Sequence, residues 1–380
     1  MRIAYLVNAP REHLTGAAKR ALLLAAAAPE RGHSALVVGP AGSGLQREAA
    51  ARAIEFAACE FRAWGLGSGL RSLLKHQRVD VVHAMSTVPA LLASPGLLWR
   101  RTPDAGGRAI FVSIVVDPDS SLVYADARPR RLATRVRTWL LAVASSGLDG
   151  VFAVSEPVRT VLVLHGVRGV VTVGGAAIDE HELSRRAAAA IELPAGRPRI
   201  GSAIGQLEAA KGVDVLIEAF ARIAPQFPVA TLLVAGDGSQ HEALRRLADD
   251  SGVGPRVHLL GYLAEPAPFL AALDLHVSAS LTEGLGTATA QAMALGVPVV
   301  ATAAGGAGDV VTDGVTGLLV APGDTEALAN AMGRLLREPE LARTLTHHGR
   351  EHVLAHHSAQ AFVTETSTHY ERAIAARMHG

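Results

Sequence analysis

The sequence predicts an α/β protein built from two doubly wound domains, each a parallel sheet with helices on both faces, set around a central crevice. Three observations carry that expectation. The chain has 380 residues, too many for one ordinary core and suited to two. Apolar, strand-like runs alternate with helical patterns from end to end, the mark of βα units around parallel sheets. The alternation resets near Leu193, where LPAGRPR has the Pro, Gly and Arg character of a linker.

The elements follow in order. RIAYLVN reads as the first strand, followed by a loop through Pro10 and Gly16 and a helix from about Ala17 to Arg31. SALVVG is the second strand, and VDVVHA, AIFVSIVV, GVFAVS and GVVTV continue the series, each separated by helix-forming sequence. A second series runs RIGSAIG, ATLLVAG, RVHLLG, LDLHVSAS, VPVVAT and GLLVAP. Such near-continuous apolar runs suit strands buried on both faces. The expected domains are residues 1–192 and 193–357, with a Pro-free helical tail, 358–380, able to pack back on the first. Ligands of doubly wound folds bind at the C-terminal ends of the strands.

Composition narrows the class. Hydrophobic residues make up 49% and charged residues 19%, with only 8 Phe, 3 Trp and 4 Tyr, so Ala, Val and Leu must build the core. That excludes a disordered chain. The single cysteine, Cys59, cannot form an internal disulfide, and MRIAYLVNAPRE is too short an apolar run for a signal peptide, so a cytoplasmic location is expected. Gly284 to Gly308 is long and uncharged enough to cross a bilayer, but Gln291, Pro298 and its glycines break it into a loop, a short helix and the strand PVVAT.

The formal net charge of +1 conceals an asymmetry. Residues 1–190 hold 23 Lys and Arg against 15 Asp and Glu; residues 191–380 hold 13 against 20. Part of the basic excess is Arg128, Arg130, Arg131, Arg135 and Arg137, immediately before WLLAVA. Two readings stay open: a solvated helix face, or a surface that lies on the inner face of an anionic membrane or meets a phosphorylated acceptor. Nucleic acid is not expected, since no aromatic interleaving or binding motif accompanies the charge.

Neither G-x-G-x-x-G nor G-x-x-x-x-G-K-[ST] follows a candidate strand, and G-x-S-x-G is absent. His347, His348, His352, His356 and His357 place imidazoles at helical spacing. No carboxylate or cysteine is clearly positioned to complete a metal site, so no metal is expected. The informative segment is SLTEGLGTATAQAMALGVPVVATAAGGAGDVVTDGVTGLLVAPGD, residues 280 to 324. Glu283 follows a strand, Gly284 and Gly286 permit a tight turn, and a helix starts near Thr287. Such a turn aims free N–H groups and a positive helix end at a phosphate. A carboxylate beside it can accept hydrogen bonds from sugar hydroxyls. A purely structural Gly-rich turn is the alternative.

Ser-x-x-Glu-Gly-x-Gly, Ala-Met-Ala-x-Gly-x-Pro-Val-Val-Ala-Thr, the Gly-Gly pair and DGVTGLLVAPGD resemble the donor-binding half of the family 4 retaining glycosyltransferases. VDVVHAM, LDGVFAVSEPVRTVLVLHGV and IGQLEAAKGVDVLIEAF extend the resemblance over most of the chain. It implies a GT-B type fold of two Rossmann-like domains, a nucleoside-diphosphate-sugar donor held by the second domain, and a hydroxyl acceptor held by the first. A glycolipid, a polysaccharide and a specialised metabolite are all compatible acceptors. The Ala, Arg and Gly bias suggests a high-GC bacterial source. No cofactor or metal is implied, and no protein nucleophile.

The resemblance implies roles for individual residues. Lys211 matches the lysine that neutralises the diphosphate, and Glu283 the first glutamate of a Glu-x7-Glu pair that contacts the donor sugar. Asp117 is the matching carboxylate of the first domain and joins these two as a catalytic candidate. Gly16, Gln206, Gly284, Gly286, Thr287 and Gln291 complete the donor-binding set. The chain departs from the family pattern at Val116, where a histidine is common, at Gln206, where an arginine is expected, and at Gln291, where the second glutamate would stand. Those departures motivate an alternative, a non-catalytic or altered-chemistry relative that keeps the fold.

Overall fold

The computed structural model describes residues 1–8, 15–59, 66–85, 109–114 and 128–379. Two all-parallel sheets organise them. The first has seven strands in the order β3-β2-β1-β4-β5-β6-β7. These are β1 (Arg2–Leu6), β2 (Ser34–Gly39), β3 (Glu55–Ala58), β4 (Val81–Ala84), β5 (Ala109–Ile114), β6 (Gly150–Ala153) and β7 (Val170–Thr172). The second has six, ordered β10-β9-β8-β11-β12-β13. Its strands are β8 (Arg199–Gln206), β9 (Thr231–Asp237), β10 (Val257–Leu259), β11 (Leu275–Ser278), β12 (Val299–Thr302) and β13 (Leu318–Val320). In both, the order reverses beside the first strand of the series, so the sheet is doubly wound. Among the described residues, helices supply crossovers of the kind that parallel pairing requires.

Each sheet is the middle of a packed unit. One unit comprises Met1–Gly174 and Phe362–Gly380, the other Gly175–Ala361. In the second, Leu216 and Phe220 of the helix Val213–Ile223 pack with Leu232, Leu275 and Val300 from the sheet, all fully buried. Burying a side chain of this size contributes about 1.5–3 kcal/mol, so this layer is a main source of the unit's stability.

The division falls at Gly174/Gly175, ahead of the linker that LPAGRPR suggests. The helix Glu180–Ala187 explains the difference. Asp179 caps it by accepting from the Glu182 N–H at 2.9 Å, Leu183 is buried, and Arg186 reaches Glu265 at 2.7 Å. Residues 193–198 are therefore an ordered connection within the second unit, where Arg197 bonds Asp274 at 2.8 Å.

The last helix, Ala359–His379, has most of its length in the first unit. Tyr370 is fully buried and shares a 2.5 Å hydrogen bond with His83 of β4, and Arg377 Nη2 donates to both carboxylate oxygens of Asp149, at 2.9 and 2.7 Å. Burial lowers the His83 imidazole to about 3, so the ring stays neutral. Among the described residues no helix is long and apolar enough to cross a membrane.

Candidate active site

Three neighbouring strands of the second sheet, β8, β11 and β12, send their C-terminal loops to one place. After β8 the chain makes a short 3-10 turn, Ala209–Lys211, and passes through Gly212 at φ +59° into the helix Val213–Ile223. A Cβ on Gly212 would lie 2.1 Å from the Ala279 carbonyl oxygen, so only glycine lets this turn rest against the end of β11. The Leu281 N–H donates to the Ala210 carbonyl at 2.8 Å and fixes the two loops together.

The loop after β12 locks the arrangement from the other side. Gly305, at φ +50°, passes so close to Glu283 that a Cβ would fall 1.9 Å from the Glu283 carbonyl oxygen. That oxygen accepts from the Gly306 N–H at 3.1 Å. Thr302 at the end of β12 donates its hydroxyl to the Ser280 carbonyl. The backbone of Glu283 is thus held between two neighbouring loops.

The side chains then converge. Lys211 Nζ lies 3.0 Å from Glu283 Oε2, both groups part-buried. Ser280 Oγ donates to the same oxygen at 3.2 Å, and Glu283 Oε1 accepts from the Gly284 N–H at 3.0 Å. An ammonium carries three donors, so Lys211 can hold Glu283 and an incoming anionic oxygen together.

Gly286, at φ +92°, turns the chain into the helix Thr287–Ala294. No side chain caps this helix and no acidic residue occupies its first turn. Its leading N–H groups, with the positive end of the helix dipole, begin four residues beyond Glu283 in sequence. Thr287 is exposed and Gln291 part-buried, one turn further along.

The structure therefore brings together Lys211, Glu283 and Gly284, with Gly286 and Thr287 next to them on the same turn. Gln206 is exposed at the end of β8, in register with Asp237 of β9. Among the described residues no hydrogen bond joins its side chain to the Lys211–Glu283 pair. Gly16 is the first residue of the helix Gly16–Ala27 in the other unit, one residue earlier than the helix start that the sequence suggests. Thr15 caps that helix, accepting from the Ala18 N–H at 3.2 Å. Val116 and Asp117 lie outside the described residues.

Gly212, Ser280 and Gly305 stand within the motifs, but the sequence alone assigns none of them a part in building the site. Gly305 was legible only as half of a Gly-Gly pair, because the contact that requires it comes from a loop twenty-odd residues away.

The histidine cluster has ordinary roles. His347 pairs with Glu351 at 3.5 Å, and His357 bonds the Asp309 carbonyl at 3.0 Å. Burial lowers both His352 and His357, helped by the neighbouring His356. Among the described residues no group of three or more His, Cys, Asp or Glu is placed to hold a metal ion.

Two family models match, one per sheet: "Glycosyltransferase Family 4" over residues 14–181 and "Glycosyl transferases group 1" over residues 198–338. The lipopolysaccharide core biosynthesis glycosyltransferase LpsE of Rhizobium meliloti is 36% identical over 173 residues, 46% of this chain and 49% of that protein. The chain thus spans about half the length of the curated relatives it matches. A Rickettsia africae glycosyltransferase structure superposes with a TM-score of 0.79 at 19% identity, covering 98% of both chains. Anabaena HepE, solved in complex with UDP-glucose, superposes with a TM-score of 0.76 at 21% identity over 97% of this chain and 99% of that one. At those identities the structural likeness speaks to the fold. With one family model on each doubly wound domain and the whole fold shared, the chain belongs to the family 4 glycosyltransferases of the GT-B fold.

Proposed function

We propose that this chain is a retaining transferase that moves a sugar from a nucleoside diphosphate to a hydroxyl acceptor, with the donor seated on the second unit. The observation that carries this reading is the Lys211–Glu283 pair, 3.0 Å apart, one turn ahead of an uncapped helix start. A cation and a helix N-terminus suit a diphosphate; a carboxylate held in place suits the hydroxyls of the attached sugar.

In the proposed reaction the acceptor oxygen bonds to the anomeric carbon as the bond from that carbon to the diphosphate oxygen breaks, both on the same face of the ring. The acceptor proton passes to the departing phosphate oxygen, so atoms and charge balance without a protein nucleophile. Negative charge grows on the diphosphate as it leaves. Lys211 and the N–H groups after Gly286 are preorganised to stabilise it, and this electrostatic term is the main catalytic contribution. As proposed, the charge comes from Lys211 and the helix, and no metal or cofactor is called on. Gln291 offers an amide, one helical turn past Thr287, for the ribose hydroxyls.

The experiment is a melting-temperature screen against UDP-sugars and GDP-sugars, followed by mass spectrometry of products from the donor that binds. A ligand at a hundred times its Kd adds about 2.7 kcal/mol, roughly 5–10 °C for a unit of this size. A rise for one donor and a glycosylated product support the proposal. No shift and no binding with any nucleotide sugar would remove it.

A further inference from the structure

The helix Arg128–Ser145 has two opposed faces. Thr138, Leu141 and Ser145 are buried and hold it to the first unit. Val136, Trp139, Leu140 and Val143, at i, i+3, i+4 and i+7, are exposed, with Trp139 63% and Val143 59% accessible. At 3.6 residues per turn these sets point in opposite directions, so the outward face is an apolar stripe.

A second helix with exposed apolar residues is joined to the end of this one. Ser145 Oγ accepts from the Arg168 N–H at 2.9 Å, tying the end of this helix to the turn that follows the helix Glu156–Leu164. Val163 and Leu164, the last residues of that second helix, are exposed as well. Among the described residues, six of the nine exposed large apolar side chains belong to these two helices. Single exposed apolar residues mean little, but a cluster of this kind marks a surface that something covers.

Charge identifies the occupant. The sequence of the helix Arg128–Ser145 contains five arginines and no aspartate or glutamate, in the half of the chain with the basic surplus. A second copy docking stripe to stripe would set arginine-rich helices against each other, and like charges disfavour that pairing. An anionic lipid surface meets both properties: headgroups attract the arginines, and the acyl boundary accepts the valines and leucine. Tryptophan is the side chain best suited to that boundary, with an apolar ring and one polar N–H. We infer that the helix Arg128–Ser145 lies in the plane of an anionic membrane surface and docks the first unit on it. Its 18 residues extend about 27 Å along the surface. The inference is independent of the donor-site reading: a chain that bound vesicles but no nucleotide would retain this surface and lose that function.

The test is co-sedimentation of the full chain with vesicles of phosphatidylcholine alone and of phosphatidylcholine mixed with phosphatidylglycerol. Binding to the mixed vesicles alone is expected, and it should fade as salt shortens the screening length below about 8 Å. Trp139 emission should shift to the blue on binding, and Trp139→Phe should abolish the shift. Trp139→Ser with Val143→Ser should weaken binding roughly tenfold or more, since two apolar contacts are lost. Arg135→Glu, at an exposed position, is the second variant; it should weaken binding and flatten the salt dependence. Equal binding to both vesicle types, no binding to the mixed ones, or variants that bind like wild type would overturn the inference. So would a concentration-dependent dimer that Trp139→Ser dissociates in a chain that ignores vesicles; the stripe would then be a protein interface.

Discussion

Replacing Gly305 by alanine tests whether the site depends on the close approach of the β11 and β12 loops. The new methyl would sit 1.9 Å from the Glu283 carbonyl oxygen, far inside any real contact, so one loop must move by about an ångström. Three costs combine. The left-handed backbone at φ +50° costs an alanine about 1 kcal/mol. The bond from the Gly306 N–H to Glu283, 3.1 Å long, is worth about 1 kcal/mol and breaks. Displaced packing adds a further 1 kcal/mol or so. About 3 kcal/mol lowers the melting temperature of a unit this size by roughly 6–12 °C.

The control is Gly252→Ala, also left-handed at φ +72° but with nothing within 4 Å of the new methyl. It should cost only about 1 kcal/mol, roughly 2–4 °C. The functional readout separates them further. Moving Glu283 by an ångström from its place beside Lys211 should lower turnover on the order of 10²-fold. Gly252→Ala should leave turnover unchanged. Scanning calorimetry and a product assay on both variants decide the matter. If the two glycines respond alike in melting and in turnover, the loop contact does not position Glu283.

Two further outcomes follow from the same geometry. Gln206→Arg should tighten binding of a nucleoside diphosphate, because it adds a bidentate, permanently charged donor at the exposed end of β8; calorimetry with UDP and GDP measures it. His276, fully buried in β11, is lowered by desolvation to about 4, against an ordinary 6.5 once unfolded. Its folded pKa is depressed, so the neutral ring's contribution is complete above pH 6.5 and is lost as pH falls towards 4. Urea midpoints should drop over that window, and His276→Gln should make the drop shallower by up to about 3 kcal/mol.

Twelve of the strands stand where apolar runs predict them, because a strand covered on both faces must be apolar along its length. The exception is β3, Glu55–Ala58, at the sheet edge. Its four residues are half-buried at best, so they carry no run to read. The domain boundary was hidden for a different reason. LPAGRPR has linker composition, but composition does not reveal that Leu183 and Arg186 dock the preceding helix on the second unit. At the site, Lys211 and Glu283 were legible through motifs, while their 3.0 Å contact came only from the fold. Ser280 was legible as the first residue of Ser-x-x-Glu-Gly-x-Gly, but the bond from its hydroxyl to the Glu283 carboxylate came only from the fold.

In the proposed reaction, Lys211 and the helix start after Gly286 stabilise a departing diphosphate. The most direct measurement is turnover of the bound donor by wild type and Lys211→Ala, with UDP and GDP affinities of both proteins taken by calorimetry. Turnover should fall on the order of 10² to 10³, with a smaller loss of nucleotide affinity, because the charge that Lys211 meets is largest in the transition state. Unchanged turnover in Lys211→Ala, or a wild type that binds neither nucleotide, would contradict that role.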